Sequence, residues 1–191
     1  MDPRLINALT PIVDAFEERG VAYELGGSVA SSVHGIARSS VDIDILAALE
    51  PSHVADLVRR LERDYYVSAN RVAEAIERES SFNVIHLQTM FKVDVFIARS
   101  NEFRRSSLQR RKLEGLTEER NFFVTSPEDI VLHKLHWYRK GGEVSGRQWE
   151  DVLGVLKVQG KDLDLGYVER WATKLQLTDL LQRALSDALG D

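Results

Sequence analysis

Two aspartates one residue apart, Asp42 and Asp44, interrupt the run "SSVDIDILAAL", whose alternating apolar residues otherwise describe a strand with one buried face. Side chains alternate along a strand, so Asp42 and Asp44 project to one side while Val41, Ile43 and Ile45 project to the other. Carboxylates spaced about 7 Å along a strand can bracket divalent cations. The anomaly recurs in "FKVDVFI", where Asp94 supplies a third carboxylate from a second alternating strand. Magnesium takes oxygen ligands in octahedral geometry and keeps water or phosphate in its remaining positions. Two such ions about 3.5–4 Å apart would stabilise both the attacking and the leaving oxygen of a phosphoryl transfer. The competing reading is a half-exposed strand with a solvated face, in which Lys92, two residues before Asp94, shares its face and pairs with it.

A glycine pair fits the same chemistry. Gly26 and Gly27 follow the short strand "VAYEL" and precede a helical segment, so bare backbone at the turn lets a phosphate approach its N–H groups. Ser28 is placed to cap a helix from Val29 to about Gly35. The pattern is not a P-loop, because no Gly-Lys-Ser/Thr follows, and "GGSVAS" lacks the third glycine of the dinucleotide fingerprint. Asp-x-Asp also serves metal-bound nucleotide sugars, but there it does not usually follow a Gly-Gly-Ser turn closely. Arg38, four residues before Asp42, can neutralise phosphate or be an ordinary loop arginine.

These residues need a scaffold, and the patterning supplies one. Leu5, Ile6, Leu9, Ile12, Val13 and Phe16 recur at helical spacing from Leu5 to Arg19, and Gly20 stops the helix. Pro51 opens a helix through Arg63 with Val54, Leu57, Val58 and Leu61 inward, "YYVSA" reads as a strand, and Arg71 to Glu79 reads as a helix. "FNVIHLQT" and "MFKVDVFIA" form two strands that can pair as neighbours. After the run Phe122 to Thr125 the chain reads as helices only: Ser126 to Lys140, Arg147 to Val158, Gly166 to Lys174 and Thr178 to Leu189. "SPED" at 126–129 is a capping box, and "KGGEVSG" is the clearest loop. Residues 1–125, with α and β intermixed, form one part, and residues 126–191 form a helical lobe packed with it as one globular unit.

Composition bounds the partners. The 191 residues are 43% hydrophobic and 29% charged, as expected of a folded domain, and there is no cysteine to build a disulfide or a thiolate metal site. The charge of −5 argues against a general polyanion-coating protein. One basic run, Arg104, Arg105, Arg110, Arg111 and Lys112, could contact nucleic-acid phosphates, but a solvated helix face explains it more simply. His133 and His136 share a helix face yet lack the cysteine or matched acidic partner a metal would need. Trp137, Trp149 and Trp171 lie beside apolar residues on predicted helices, the pattern of core packing rather than base stacking. No leader pattern opens the chain and no run is long enough for a membrane span, so a cytoplasmic protein is expected.

The stretch "GGSVASSVHGIARSSVDIDIL" together with Asp94 resembles the signature of the DNA polymerase beta-like nucleotidyltransferase superfamily. The resemblance covers roughly residues 21–98. It implies an α/β (α+β) fold, a mixed β-sheet flanked by helices and followed by a C-terminal helical lobe. It also implies that Gly26, Gly27 and Ser28 hold a nucleoside triphosphate such as ATP, and that Asp42 and Asp44 ligate two magnesium ions. Asp94 would ligate the catalytic metal and help deprotonate an acceptor hydroxyl. The C-terminal "PEDIVLHK" and "RQWEDV" resemble the helical lobe of the bacterial AbiEii-type abortive-infection nucleotidyltransferases. On that resemblance Lys134 faces the triphosphate, while Arg147 and Asp151 shape the nucleotide or acceptor side. The implied reaction moves a nucleoside monophosphate from NTP to an acceptor hydroxyl on a small molecule, tRNA or protein, with pyrophosphate released. A catalytically inactive nucleotide- or partner-binding module, and a tRNA-modifying toxin with an antitoxin or operon partner, are the alternatives.

Overall fold

The computed structural model describes residues 2–38, 42–98, 100–118 and 120–190. Val41, placed by sequence on the apolar side of its strand, lies outside them. The chain divides into two compact units, Met1–Gly26 with Ser40–Val124, and Gly27–Ser39 with Thr125–Asp191. Sequence patterning leaves the segment after Gly27 with the first part, whereas its packing puts it in the second unit.

In the first unit, α1 (Pro3–Glu17) starts where the Asp2 carboxylate accepts the Arg4 N–H, at 2.9 Å, and Pro3 presets the first turn. It buries Leu5, Leu9, Ile12, Val13 and Phe16, and the chain turns at Gly20 with φ +65°. The strands are β1 (Tyr23–Leu25), β2 (Asp42–Ala47), β3 (Tyr65–Tyr66), β4 (Ser81–His86), β5 (Lys92–Ile97), β6 (Lys112–Gly115) and β7 (Asn121–Val124). They form one mixed sheet in the order β3-β4-β5-β2-β1-β7-β6, with β2 parallel to β5 and β1 parallel to β7. The expected pairing of β4 with β5 is present and antiparallel.

One face of this sheet is apolar. Ile43, Val93 and Val84 share one cross-strand row, and Ile45, Val95 and Phe82 share the next; all are buried. Tyr65 reaches from β3 to donate its hydroxyl to the Ala8 carbonyl of α1 at 2.8 Å. Pro51 opens a 3₁₀ turn, Pro51–His53, rather than the helix itself; α3 runs from Val54 to Leu61 and α4 from Ala69 to Glu77. The basic run is not one solvated helix face: α5 (Glu102–Arg110) and β6 divide it. Arg104 turns inward to donate to the Ile97 carbonyl at 2.8 Å, and burial lowers its pKa. Arg111 lies over the Phe123 ring, 4.4 Å from its centroid.

In the second unit, α2 (Gly27–His34) packs against α6 (Pro127–Lys140) and α7 (Gly146–Gln159), and α8 (Leu165–Lys174) and α9 (Thr178–Leu189) follow. Gly35 permits close approach: a Cβ there would stand 2.8 Å from the Val155 amide nitrogen and 2.8 Å from the Ser31 carbonyl. The Ser126 hydroxyl accepts the Asp129 N–H as the capping pattern requires, while the Asp129 carboxylate accepts the hydroxyls of Ser126 and Tyr167. The tryptophans are not core residues. Trp137 is exposed and the other two are half-buried, with Lys140 over Trp137, Arg183 over Trp149 and Lys174 over Trp171. An indole at the rim buries one face and gives the other to a cation.

Candidate active site

The two central strands bring the three aspartates onto one face. In the parallel β2–β5 ladder Asp44 is the direct partner of Asp94, and Asp42 is the partner of Lys92. Residues paired in this way point to the same side, so Asp42, Asp44, Lys92 and Asp94 lie on the face opposite Ile43, Ile45, Val93 and Val95. Adjacent strands lie about 4.8 Å apart, so Asp44 and Asp94 are near neighbours from residues 50 positions apart in the sequence. Asp42 is exposed and Asp44 and Asp94 are half-buried, so the face is wet enough to carry charge. Further along the strands the same face becomes apolar, where Leu46 and Ala98 pack with Leu108 of α5. Glu24, also on this face through its pairing with Leu46, is fully buried and accepts the Ser107 hydroxyl. Its place in "VAYELGG" repeats the sequence signal of a carboxylate in an apolar strand, which the sequence reading did not use.

The face already holds a cation. The Lys92 ammonium donates to Asp94 at 2.7 Å, the pairing that the sequence made possible. That hydrogen bond raises the lysine's pKa against the opposing effect of burial, with the charges of Asp94, Asp42 and Asp44 adding to it. Among the described residues, no three His, Asp or Glu side chains are gathered as a ready-formed metal cage. The donor set nevertheless suits a hard cation, because the three carboxylates on this face offer oxygen ligands. His133 and His136, on α6, belong to the other unit.

The glycine turn differs from expectation at two residues, Gly26 and Ser28. The Gly26 N–H donates to the Asp44 carbonyl at 2.9 Å, so this amide belongs to the sheet and is not available to a phosphate. It ties the end of β1 to the backbone of a site aspartate. Gly27 has φ +54°, a conformation that L-residues with a Cβ avoid, and α2 starts there. Ser28 is therefore a buried residue of the helix's first turn rather than the cap before Val29.

The second unit builds a charged cluster from residues that sequence kept apart. Arg38 donates through Nε and Nη2 to the two carboxylate oxygens of Asp151, at 2.8 and 2.9 Å. Lys134 donates to the same carboxylate at 2.7 Å, and both Lys134 and Asp151 are buried. Burial would raise the Asp151 pKa, but the hydrogen bonds from Arg38 and Lys134 outweigh it and leave the carboxyl below its ordinary range. Arg147 stands one turn earlier on α7, exposed and outside this cluster. The Arg38–Asp151 pair spans 113 residues, and no local pattern announces it.

No family model matches the chain, and no curated protein matches it significantly. Solved structures do. The crystal structure of ANT(2'')-Ia in complex with adenylyl-2''-tobramycin superposes with a TM-score of 0.60 at 15% identity, covering 91% of this chain and 97% of that one. An antigenic nucleotidyltransferase-like protein from Paracoccidioides brasiliensis gives 0.51 at 15%, covering 96% of each chain. The lincosamide antibiotic adenylyltransferase LnuA, bound to lincomycin, gives 0.50 at 17%, covering 78% of this chain and 95% of the other. The chain is a mixed α/β protein with the fold of the nucleotidyltransferases.

Proposed function

We propose that the protein is a magnesium-dependent nucleotidyltransferase that moves a nucleoside monophosphate, adenylate from ATP by analogy with its structural neighbours, onto an acceptor hydroxyl. The observation that carries this reading is the register of β2 and β5, which sets Asp42, Asp44 and Asp94 side by side on one face. The acceptor oxygen attacks the α-phosphorus of the donor, the bond from that phosphorus to the bridging oxygen breaks, and pyrophosphate leaves. Asp94 takes the acceptor proton. Asp42, Asp44 and Asp94 would hold two magnesium ions, which supply charge compensation at the attacking and leaving oxygens. Gly27 and Ser28, at the start of α2, are assigned to the triphosphate on the likeness of the glycine turn to the nucleotidyltransferase signature. Within the second unit Asp151 holds both Arg38 and Lys134; the nucleotide or acceptor roles of Arg38, Lys134, Arg147 and Asp151 rest on the sequence resemblance. The protein's part is positioning and electrostatics, with no covalent intermediate.

The test is incubation with labelled ATP, magnesium and fractionated cell extract, with pyrophosphate measured in parallel. Label should pass to one fraction with wild type and not with Asp42→Asn/Asp44→Asn; equal labelling by that variant would refute the assignment. The Lys92–Asp94 ion pair favours a second reading, a nucleotide-binding module without turnover, because the lysine stands where a cation would act. Saturable ATP binding without pyrophosphate release across every acceptor fraction would select it.

A further inference from the structure

A cleft of about 620 Å³ lies at the outer edge of β4, one strand away from Asp94 on β5 and wholly within the first unit. Its lining includes Tyr66, Arg71, Arg78, Ser81 and Asn83. Three of these share the carboxylate face. Tyr66 pairs with Ile85, which pairs with Lys92 and so with Asp42; Asn83 pairs directly with Asp94; and Ser81 pairs with Phe96 and so with Leu46. The Ser80 carbonyl and His86 N–H are bonded to the β5 side, to Ile97 and Phe91, so Asn83 and Asp94 form a non-hydrogen-bonded pair. Such pairs bring side chains closest, with Cα atoms about 4.5 Å apart. The same alternation turns the backbone groups of Ser81 and Asn83 outward, along the stretch of β4 that β3 does not cover.

The cleft also lies on the correct side of the carboxylates for chemistry. In the order β4-β5-β2-β1, it borders β4, while the Gly26 turn ends β1 on the far side of β2. Nucleophile and leaving group of an in-line phosphoryl transfer stand on opposite sides of the phosphorus. A donor seated at the β1 end and an acceptor seated at the β4 edge meet that requirement over Asp44 and Asp94.

Resting on the nucleotidyltransferase reading, we propose that this cleft is the acceptor subsite and that it takes a small hydroxylated molecule bearing an anionic group, a sugar phosphate in its chemistry. Arg71 and Arg78 bring two guanidinium groups to the lining against the single carboxylate of Glu74, with which both pair. The excess cation attracts an anion and repels a polyamine. The exposed Tyr66 ring offers a face for a sugar to lie on. Asn83 holds the reacting hydroxyl next to Asp94. That hydroxyl oxygen forms the new bond to the α-phosphorus, its proton passes to Asp94, and pyrophosphate carries away the electron pair of the broken bond.

Titration of the ¹⁵N-labelled full chain with glucose 6-phosphate, glucose and glucosamine, followed by amide shifts, tests the subsite without turnover. Glucose 6-phosphate should give saturable shifts at Ser81 and Asn83, glucose weaker ones, and glucosamine none. In Arg71→Gln/Arg78→Gln, exposed positions on α4 and at its C-terminal cap whose spectrum itself reports folding, the glucose 6-phosphate affinity should fall roughly tenfold or more, as loss of charge-assisted hydrogen bonds requires. Absence of saturable shifts at β4, equal affinity in the double variant, or binding of glucosamine as tight as glucose 6-phosphate would overturn the subsite. Pyrophosphate release from magnesium ATP in the same sample judges the catalytic reading separately, so either can fail while the other stands.

Discussion

Replacing Asp151 by asparagine tests the charged cluster of the second unit. The substitution keeps the side chain's shape and removes the charge that two cations share. Lys134 is 7% exposed at its side chain, so its ammonium would be left buried beside a neutral amide. Breaking a buried pair from one side costs about 3–5 kcal/mol, because the remaining charge has lost its compensation. Arg38 is 34% exposed and can turn to water, so its share is nearer the ~0–1 kcal/mol of a surface pair. The sum is set by Lys134 and comes to about 3–6 kcal/mol, a fall in Tm of about 6–24 °C for a chain of this size. Urea denaturation at pH 7 measures it directly. The pH dependence gives a second reading. Because the Asp151 carboxyl is held below its ordinary 3.8, its stabilisation is complete above that value and is lost as pH falls through the lowered one. The gap between wild type and Asp151→Asn should therefore be flat from pH 7 to about pH 5 and close only below about pH 4. A companion, Lys134→Met/Asp151→Leu, removes both buried charges and should recover most of the loss. A cost for Asp151→Asn of under about 1 kcal/mol, or a gap that persists unchanged to pH 3, would refute this account of the cluster.

Four further outcomes follow. Asp42→Asn/Asp44→Asn should abolish label transfer while moving Tm by no more than about 2 °C, since Asp42 is exposed and Asp44 half-buried; a large Tm loss would mean the carboxylates serve the fold. Lys92→Met should tighten manganese binding several-fold, read by electron paramagnetic resonance, because Asp94 loses its resident cation; unchanged affinity would show that the lysine does not compete for the site. Gly27→Ala should cost about 1–2 kcal/mol in urea melts, since alanine at φ +54° is strained; a neutral result would contradict that backbone conformation. Gly35→Ala should cost about 1–3 kcal/mol or more by the same measurement, because the added methyl meets backbone atoms at 2.8 Å rather than flexible side chains.

The carboxylate strands were legible because their signal is local. An aspartate in an alternating apolar run declares a face, and β2, β4 and β5 formed where that alternation predicts them. What alternation cannot state is which strand lies next to which: the parallel β2–β5 ladder joins segments 50 residues apart and is fixed by the packing between them. The α5–β6 segment escaped because "FRRSSLQRRK" carries few apolar residues, so only Phe103, Ser107 and Leu108 are buried from that helix. The tryptophans misled because an indole near apolar neighbours reads as core, whereas lysine and arginine stems make a rim position equally comfortable. Among the site residues, Asp42, Asp44 and Asp94 share a face and Arg38, Lys134 and Asp151 share ion pairs, but the cluster's partners are reciprocal charges that no spacing rule links.

The placement of α2 imposes an order on folding. The helix occupies residues 27–34, yet its partners arrive much later: His34 Nε2 bonds the Thr125 carbonyl at 2.8 Å, and the Gln159 amide donates to the His34 carbonyl at 2.8 Å. An isolated helix of about this length is marginal in water, because nucleation is costly and propagation too short to offset it. During synthesis at about 5–20 residues per second, residues 27–34 thus wait on the order of 5–25 seconds before Thr125 to Gln159 exist to hold them. Over that interval α2 lacks its distant partners on α6 and α7, and contacts of such long sequence separation form slowly. The α2 segment is consequently among the last to gain its packing partners, and a translation product that stops before α6 would lack them.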